Sequence, residues 1–450
     1  MADPSARKNI GFAGRRALVE LLPSDLSERE DEKPVRFSCI ILDHDGEGDL
    51  ITIKLNNGYN MRFRKSRVRI IEERDRIKIH EEQPRNIRDA SGPHICILGT
   101  GGTILSKIDY RTGGAHPSQQ FPKTLKNDFE KKRGTRIRFR SIMNKLSEDM
   151  IPDDWKKIAL ETVKGFEEKA SGVVVLHGTD TIHYSSAALS FFLQDLPGPV
   201  ILTGSMRSTD RPSSDSFQNL TDSLTAASSG LFPGVYVLSR QNLDDGESVI
   251  YPGTRVRKIH TTRRDAVRSI DGSPVMVLND GKIISHPHEN TERPMSKPKT
   301  RGEIDPTVPM LWLSPATKES DLKDLFEANK ASVIVGTGLG HIRSDLIPTV
   351  KKYVEKDRII VLASSCIFGR VELEVYSTGR NLRDAGIIDS GPMTPETAHV
   401  KLMWSMGTSL KTGEDPLTLF RTNISGEWDP IRPDISPKPK ITDHRGGGPD

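Results

Sequence analysis

Apolar and polar positions follow two different grammars along the chain. Between residues 35 and 71 the apolar side chains come in short alternating runs: Ile51, Ile53 and Leu55 against Thr52 and Lys54, then Met61, Phe63, Val68 and Ile70 separated by arginine and lysine. A period of two predicts strands with one buried face. Asn57-Gly58 lies between two such runs and predicts a hairpin, because both residues tolerate positive φ. Strands this short and this close predict a small β-barrel closing on Ile40, Ile51, Ile53, Phe63 and Val68. Ahead of them residues 1–32 are mostly polar, and only 18–22 hint at local structure.

From residue 95 the pattern changes. Residues 95–98 form a short apolar run leading into Gly99-Thr100-Gly101-Gly102-Thr103. Trp155, Ile158, Ala159, Val163 and Phe166 recur at helical spacing, with Pro152 and Asp153 at the start. Residues 173–176 read as a buried strand entering His177-Gly178-Thr179-Asp180-Thr181. A helix (182–193), a strand (200–203), a helix (217–227) and a strand (235–238) follow. Strands alternating with helices predict βαβ units and a mostly parallel sheet. Residues 286–309 are charged, rich in proline and without period. Beyond them strands at 310–313, 333–335 and 359–362 alternate with helices at 321–328 and 346–354. The expected organisation is a small β-barrel domain with a flexible start (1–90), a large α/β domain (91–290), a linker (291–309), a smaller α/β domain (310–429) and a mobile tail (430–450).

Composition narrows the class. With 35% apolar and 28% charged residues, the chain is polar but not depleted enough of apolar residues to be disordered. The formal net charge of +4 does not force a polyanion-binding role. The three cysteines, Cys39, Cys96 and Cys366, lie far apart, which argues against a disulfide framework and a zinc ribbon. No apolar run approaches the roughly 18 residues of a membrane span, and no signal-peptide core is visible in the first 30 residues. A cytoplasmic enzyme is the expectation.

Candidate chemistry sits where strands end, since ligands of a doubly wound sheet bind outside the carboxyl ends of its strands. The loops at 99–103 and 177–181 both place hydroxyl groups there. Neither Gly99–Ile104 nor Gly336–His341 fits the dinucleotide fingerprint, because the last position is Ile in one and His in the other. A threonine nucleophile needs a base or an electrostatic helper; Thr179, Asp180 and Lys258 are candidates. Each loop alone reads more readily as a structural turn, and the two readings balance only when the loops are taken as a pair at the ends of two strands in one domain. A solvated charge is the lesser reading of Lys258, inside Arg255-Val256-Arg257-Lys258. His177 and His260 read as structural hydrogen-bonders rather than metal ligands, there being no H-E-x-x-H.

Thr100-Gly101-Gly102-Thr103-Ile104 and His177-Gly178-Thr179-Asp180-Thr181, in this order, closely resemble the two signatures of the L-asparaginase/glutaminase family, over residues 95–420. The resemblance implies two asparaginase-like α/β domains and amide hydrolysis by acyl transfer. Thr103 matches the usual nucleophile, and Thr179, Asp180 and Lys258 match a second catalytic group. Ser147-Glu148-Asp149 resembles the loop that holds the substrate's α-amino and α-carboxylate groups, so Ser147 and Glu148 are implied binders. Tyr110 corresponds to a lid tyrosine, and Glu374 to a carboxylate lent by a neighbouring protomer. Gly340-His341 departs from the family's asparagine at that turn, which counts against simple asparagine specificity. No metal or cofactor is implied in the chain itself.

The preceding β unit, Tyr110-Arg111-Thr112-Gly113-Gly114 and Asp210-Arg211-Pro212-Ser213-Ser214-Asp215 narrow the resemblance to the archaeal glutamyl-tRNA(Gln) amidotransferases. That implies L-glutamine as substrate. It also implies a partner, the amidotransferase's E subunit, that holds tRNA(Gln) charged with glutamate, activates it with ATP and Mg²⁺ and accepts the ammonia. A homodimer within a heterotetramer is the implied assembly. Two other readings stand beside it. One is a free cytosolic L-asparaginase. The other is a nucleic-acid-binding module resting on residues 62–78, where eight basic residues face three acidic ones.

Overall fold

The computed structural model describes residues 12–22, 34–41, 49–55, 60–78, 94–102, 104, 107–108, 115–116, 121, 123–208, 214–243, 246–270, 274–285 and 297–428. The leading β unit is an antiparallel sheet of β1 (Phe12–Leu21), β2 (Val35–Ile41), β3 (Leu50–Leu55), β4 (Asn60–Arg64) and β5 (Val68–Lys78), in the order β4-β3-β2-β1-β5. Its buried face consists of Ala17, Val19, Cys39, Ile41 and Ile53, with Ile51, Phe63 and Val68 packed against them. Two expectations need correction. The segment read as mostly polar contains a ten-residue strand, β1. Its alternation is hidden because Glu20, on the face opposite Val19, is buried as well. Arg36 (2.8 Å) and Arg69 (3.2 Å) bond the Glu20 carboxylate and cover it. Ile40 points away from the apolar cluster, which takes Cys39 and Ile41 instead. Asn57-Gly58 lies outside the described residues.

An eight-stranded sheet forms the body of the large domain. Five strands run parallel, in the order Arg136–Lys145, β6 (His94–Gly101), Ala170–Leu176, Pro199–Thr203 and Gly234–Arg240. Three antiparallel strands, Ser248–Pro252, Met276–Asn279 and Lys282–Ser285, extend it. Successive residues of β6 serve different layers. Cys96 and Leu98 join one apolar cluster, Ile95 and Ile97 the other, so a strand covered on both faces reads as a continuous apolar run. Burial pushes the Cys39 and Cys96 thiols up to about 11, which leaves both unreactive. The helices α1 (Lys123–Arg133), α2 (Pro152–Glu167), α3 (Ile182–Phe192) and α4 (Ser216–Ser228) connect the strands. Proline starts α2, and the Asp154 carboxylate accepts from the Ile151 N–H at 2.9 Å, closing its first turn.

The small domain has four parallel strands in the order Met310–Trp312, Ala331–Gly336, Ile359–Ser364 and Ile388–Asp389. Around them lie α5 (Glu319–Ala328), α6 (Ile347–Val354), α7 (Ser377–Asp384), α8 (Pro395–Thr412) and α9 (Pro416–Arg421). Helix α8 packs on α3, with the rings of Phe191 and Trp404 6.1 Å apart. A single apolar cluster therefore runs from Leu98 through Phe191 and Trp404 to Val333 and Val361.

The stretch read as a linker is anchored where it is described. Lys299–Thr300 pairs antiparallel with Leu193–Gln194. The Asp305 N–H donates to the Met403 carbonyl at 2.9 Å, and the Glu303 carboxylate accepts from Lys156 (2.7 Å) and Lys411 (3.0 Å). Proline and charge hide this anchoring, because much of it runs through backbone bonds to neighbours, which no side-chain period reports.

Candidate active site

The site is built where β6 and the neighbouring strand Ala170–Leu176 end. The Thr100 hydroxyl, buried, donates to the Leu176 carbonyl at 2.9 Å and locks the two loops at their roots. Gly101 and Gly102 then turn at φ +115° and +75°. A Cβ on Gly102 would stand 2.4 Å from the Gly178 nitrogen, so this close approach of loop to loop requires glycine. Thr103 and Tyr110 lie outside the described residues, as do Asp210 to Ser213.

His177 enters the second loop fully buried. Its Nδ1 is 2.7 Å from the Gly178 carbonyl and its Nε2 is 2.9 Å from the Ser185 hydroxyl, which in turn accepts from the Trp155 indole at 2.9 Å. A carbonyl can only accept, so Nδ1 carries the proton and Nε2 accepts. Both ring nitrogens are thus spent on bracing the loop. Burial drives the His177 imidazole down to about 4. At His183, burial and then the nearby Arg257 and Lys258 charges drive it to about 3. Unfolding returns both to their ordinary value of 6.5, so the unfolded chain binds more protons below it. Their contribution to stability is complete above pH 6.5 and is lost as pH falls toward 4, at about 3 kcal/mol for each imidazole. We expect the thermal midpoint to drop over that window and His183→Gln to flatten the slope. A midpoint independent of pH there would contradict the buried, neutral imidazoles.

Ser147 lies in the turn Ser147–Asp149 that follows the strand Arg136–Lys145. It is buried, and it laces this turn to the second loop. Its hydroxyl accepts from the Asp180 N–H at 3.2 Å, and its carbonyl accepts from the Thr181 hydroxyl at 2.6 Å. Glu148, next in the chain, is exposed. Lys258 arrives from the opposite side, on the strand Val256–Lys258. Its ammonium donates to Thr179 Oγ1 at 2.8 Å and to Asp180 Oδ1 at 2.6 Å. Because the ammonium is the donor, the Thr179 hydroxyl keeps its own hydrogen for another acceptor. The Lys258 side chain is 9% exposed and that of Asp180 63%, so the cation is enclosed while one face of the cluster is open.

Thr179, Asp180, Lys258 and Ser147 are thus brought together. Glu374 is elsewhere on the chain, exposed on the small domain and paired with Arg383 at 2.6 Å. His341 accompanies it there, edge-on to Tyr376. The His260 Nδ1 accepts from the Thr262 and Arg263 N–H groups. The Ser185–Trp155 brace escapes a reading of the sequence, since a serine inside a helix of small residues carries no signal. Asp215 stands out there only as part of its motif. Its buried carboxylate accepts from the N–H groups of Met206 and Arg207 and from Asn219, and so fastens the loop after Pro199–Thr203. Among the described residues there is no group of three or more His, Cys, Asp or Glu suited to a metal ion, and no helix long and apolar enough to cross a membrane.

Two family models match the chain: asparaginase, N-terminal, over residues 94–290, and the glutaminase/asparaginase C-terminal domain over 307–415. Solved structures agree. The thermostable L-asparaginase of Thermococcus kodakarensis superposes with a TM-score of 0.65 at 31% identity, covering 75% of this chain and 99% of that one. L-asparaginase I of Vibrio cholerae gives 0.64 at 27%, covering 75% and 99%. Fold and site together define an asparaginase-type α/β protein. Curated relatives extend further along the chain. The D subunit of the glutamyl-tRNA(Gln) amidotransferase of Pyrococcus horikoshii is 40% identical over 85% of this chain and 88% of its own length. That of Thermoplasma volcanium is 38% identical over 84% and 91%. The chain belongs to the family of glutamyl-tRNA(Gln) amidotransferase D subunits.

Proposed function

We propose that this chain hydrolyses L-glutamine and passes the ammonia to a partner protein that amidates glutamate on tRNA(Gln). The observation that carries the reading is the Lys258 ammonium held against both Thr179 Oγ1 and Asp180 Oδ1 in an enclosed position beside two glycine-bearing strand-end loops. In this mechanism Thr103 Oγ attacks the side-chain carbonyl carbon of glutamine, the C–N bond breaks and ammonia leaves with the proton. A water near Thr179 then attacks the acyl-enzyme, releases glutamate and restores the Thr103 hydroxyl. Lys258 stabilises a developing Thr179 alkoxide, and Asp180 holds Lys258 in place or grips the substrate amine. The Ser147 turn and the Glu148 carboxylate receive the amino-acid end of the substrate. Tyr110 covers the site, and Glu374 is offered to a second copy within a dimer.

The E subunit of the amidotransferase is the proposed partner. It holds Glu-tRNA(Gln) and, with ATP and Mg²⁺, converts the glutamyl γ-carboxylate to an acyl phosphate, from which ammonia displaces phosphate to give the amide; this chain needs no cofactor of its own. The assembly is a homodimer within a heterotetramer in the cytoplasm. Residues before 94 precede both asparaginase models, and we read β1–β5 as a small barrel. Full burial of Val19 and Ile53 on one face supports this, because a flat five-stranded sheet with nothing packed on it leaves such a face wet.

The test is steady-state ammonia release from glutamine by the chain alone, with the E subunit, and with the E subunit plus Glu-tRNA(Gln). The rate should rise at each addition, as the partners close the site against water. Equal rates in all three, with asparagine turned over as fast as glutamine, would replace this reading with a free asparaginase.

A further inference from the structure

The Lys258 cluster has a second side. Among the described residues the strand Val256–Lys258 pairs only with Val267–Ser269, with Arg257 opposite Arg268 and Lys258 opposite Val267, and the two form a sheet of their own. A two-stranded ribbon of this length has little stability of its own. Side chains alternate along it. Val256 is buried and Lys258 reaches Thr179 and Asp180, while Arg257 turns the other way. Three tethers on the ribbon lead to the small domain and to the segment after α9. Arg257 Nε forms an ion pair with a Glu396 carboxylate oxygen at 3.0 Å, the two side chains being 18% and 7% exposed, and its guanidinium lies 5.5 Å from the centre of the Trp312 ring. Thr397 Oγ1 donates to the Thr254 carbonyl at 2.9 Å. Arg255 Nε donates to the Gly426 carbonyl at 2.8 Å. Glu396 and Thr397 occupy the first turn of α8, whose N-cap is Thr394.

We infer that the first turn of α8 positions Lys258 for the reaction. Glu396, through Arg257, and Thr397, through the Thr254 carbonyl, set the height and tilt of the ribbon that places the ammonium between Thr179 and Asp180. Both are positioning residues, and the inference rests on the reading of Lys258 proposed above. Arg257 and Lys258 are neighbours in one strand, so a shift at Arg257 is carried to the ammonium with little loss. A misplacement of about 1 Å in such a group costs on the order of 10²-fold in rate.

The test uses the chain together with its amidotransferase partner and measures kcat and KM for glutamine separately. Thr397→Val keeps the volume and removes the bond to Thr254, together with the one that Thr397 Oγ1 accepts from the Thr394 hydroxyl at 3.1 Å. Glu396→Gln keeps the shape and an oxygen facing Arg257 without the charge, and Glu396→Ala removes the side chain altogether. The expected result is a fall in kcat of roughly 3-fold, 10-fold and 100-fold respectively, with KM within about 2-fold. On a Lys258→Met background the same substitutions should cause no further loss of the residual rate, because the position of an absent ammonium has no effect. A purely structural role would add its loss on both backgrounds, and that result would overturn the inference. Unchanged kcat in all three variants, with Lys258→Met inactive, would also overturn it while leaving the catalytic reading of Lys258 standing. Full turnover by Lys258→Met would remove that reading and the inference with it. Should Glu396→Ala fail to fold, Thr397→Val and Glu396→Gln carry the comparison.

Discussion

Thr179→Ala and Lys258→Met should each lower glutamine hydrolysis by roughly 10³-fold without unfolding the chain. Thr179 is only half-buried and belongs to neither apolar layer, so losing its hydroxyl removes no packing. Lys258 donates to Thr179 and Asp180 from a position 9% exposed, and methionine fills much the same space without the charge. Groups that act as a unit lose function together. The double variant should therefore be about as slow as either single one rather than slower by a further 10³-fold. Thr179→Ser should keep most of the activity, because the hydroxyl remains within reach of the ammonium. Kinetics with near-ultraviolet circular dichroism on each variant decides the matter. A folded Thr179→Ala or Lys258→Met enzyme retaining more than about a tenth of the turnover would place the reacting group elsewhere.

The largest loss of stability should follow from breaking one ion pair far from the loops. Lys401 of α8 and Glu427 are fully buried and in contact. The ammonium also donates to the Thr422 carbonyl at 2.7 Å and lies 5.9 Å and 5.6 Å from the centres of the Phe191 and Phe420 rings. The Glu427 carboxylate accepts from the Ile424 and Ser425 N–H groups at 3.0 and 2.7 Å. Lys401→Met alone leaves a buried carboxylate without its cation and should cost about 3–5 kcal/mol, as should Glu427→Gln. Pairing Lys401→Met with Glu427→Leu removes both charges and should recover part of that loss. Recovery stays incomplete because the Ile424 and Ser425 N–H groups then lack an acceptor. Denaturant titration of the three variants measures this. A Lys401→Met chain as stable as the parent would mean that the pair is solvated.

What can be read from the sequence follows from how each feature leaves a trace. The βαβ units are legible because both faces of β6 and its neighbours are covered, so Ile95 to Leu98 read as one apolar run. The two strand-end loops are legible as a pair, because glycine and threonine come together directly after two buried strands of one domain, whereas either loop alone passes for a turn. Helix α8 is not. It lies between the two domains and is buried on nearly every side, with Lys401, Ser405 and Thr408 inside among Leu402, Met403 and Trp404. A helix buried all round shows no amphipathic stripe. Strand β1 is hidden by Glu20, a polar residue made buriable by two arginines remote in sequence. The meeting of Lys258 with Thr179 and Asp180 comes only from resemblance. Contacts between residues so far apart depend on the ribbon at Val256–Lys258, and nothing local to either segment encodes them.

The shared packing of α3 and α8 has a consequence for how the chain is made. Synthesis runs from the amino end, and the large domain's strands and helices emerge long before residue 395. Until α8 follows, the side of α3 that carries Phe191 lacks the cover of Trp404, and the core stands open there. The large domain therefore cannot finish folding on the ribosome as a unit. It waits, with apolar surface exposed, for nearly the whole polypeptide. A stalled or prematurely ended chain lacking α8 is a natural client for chaperones rather than a smaller working enzyme.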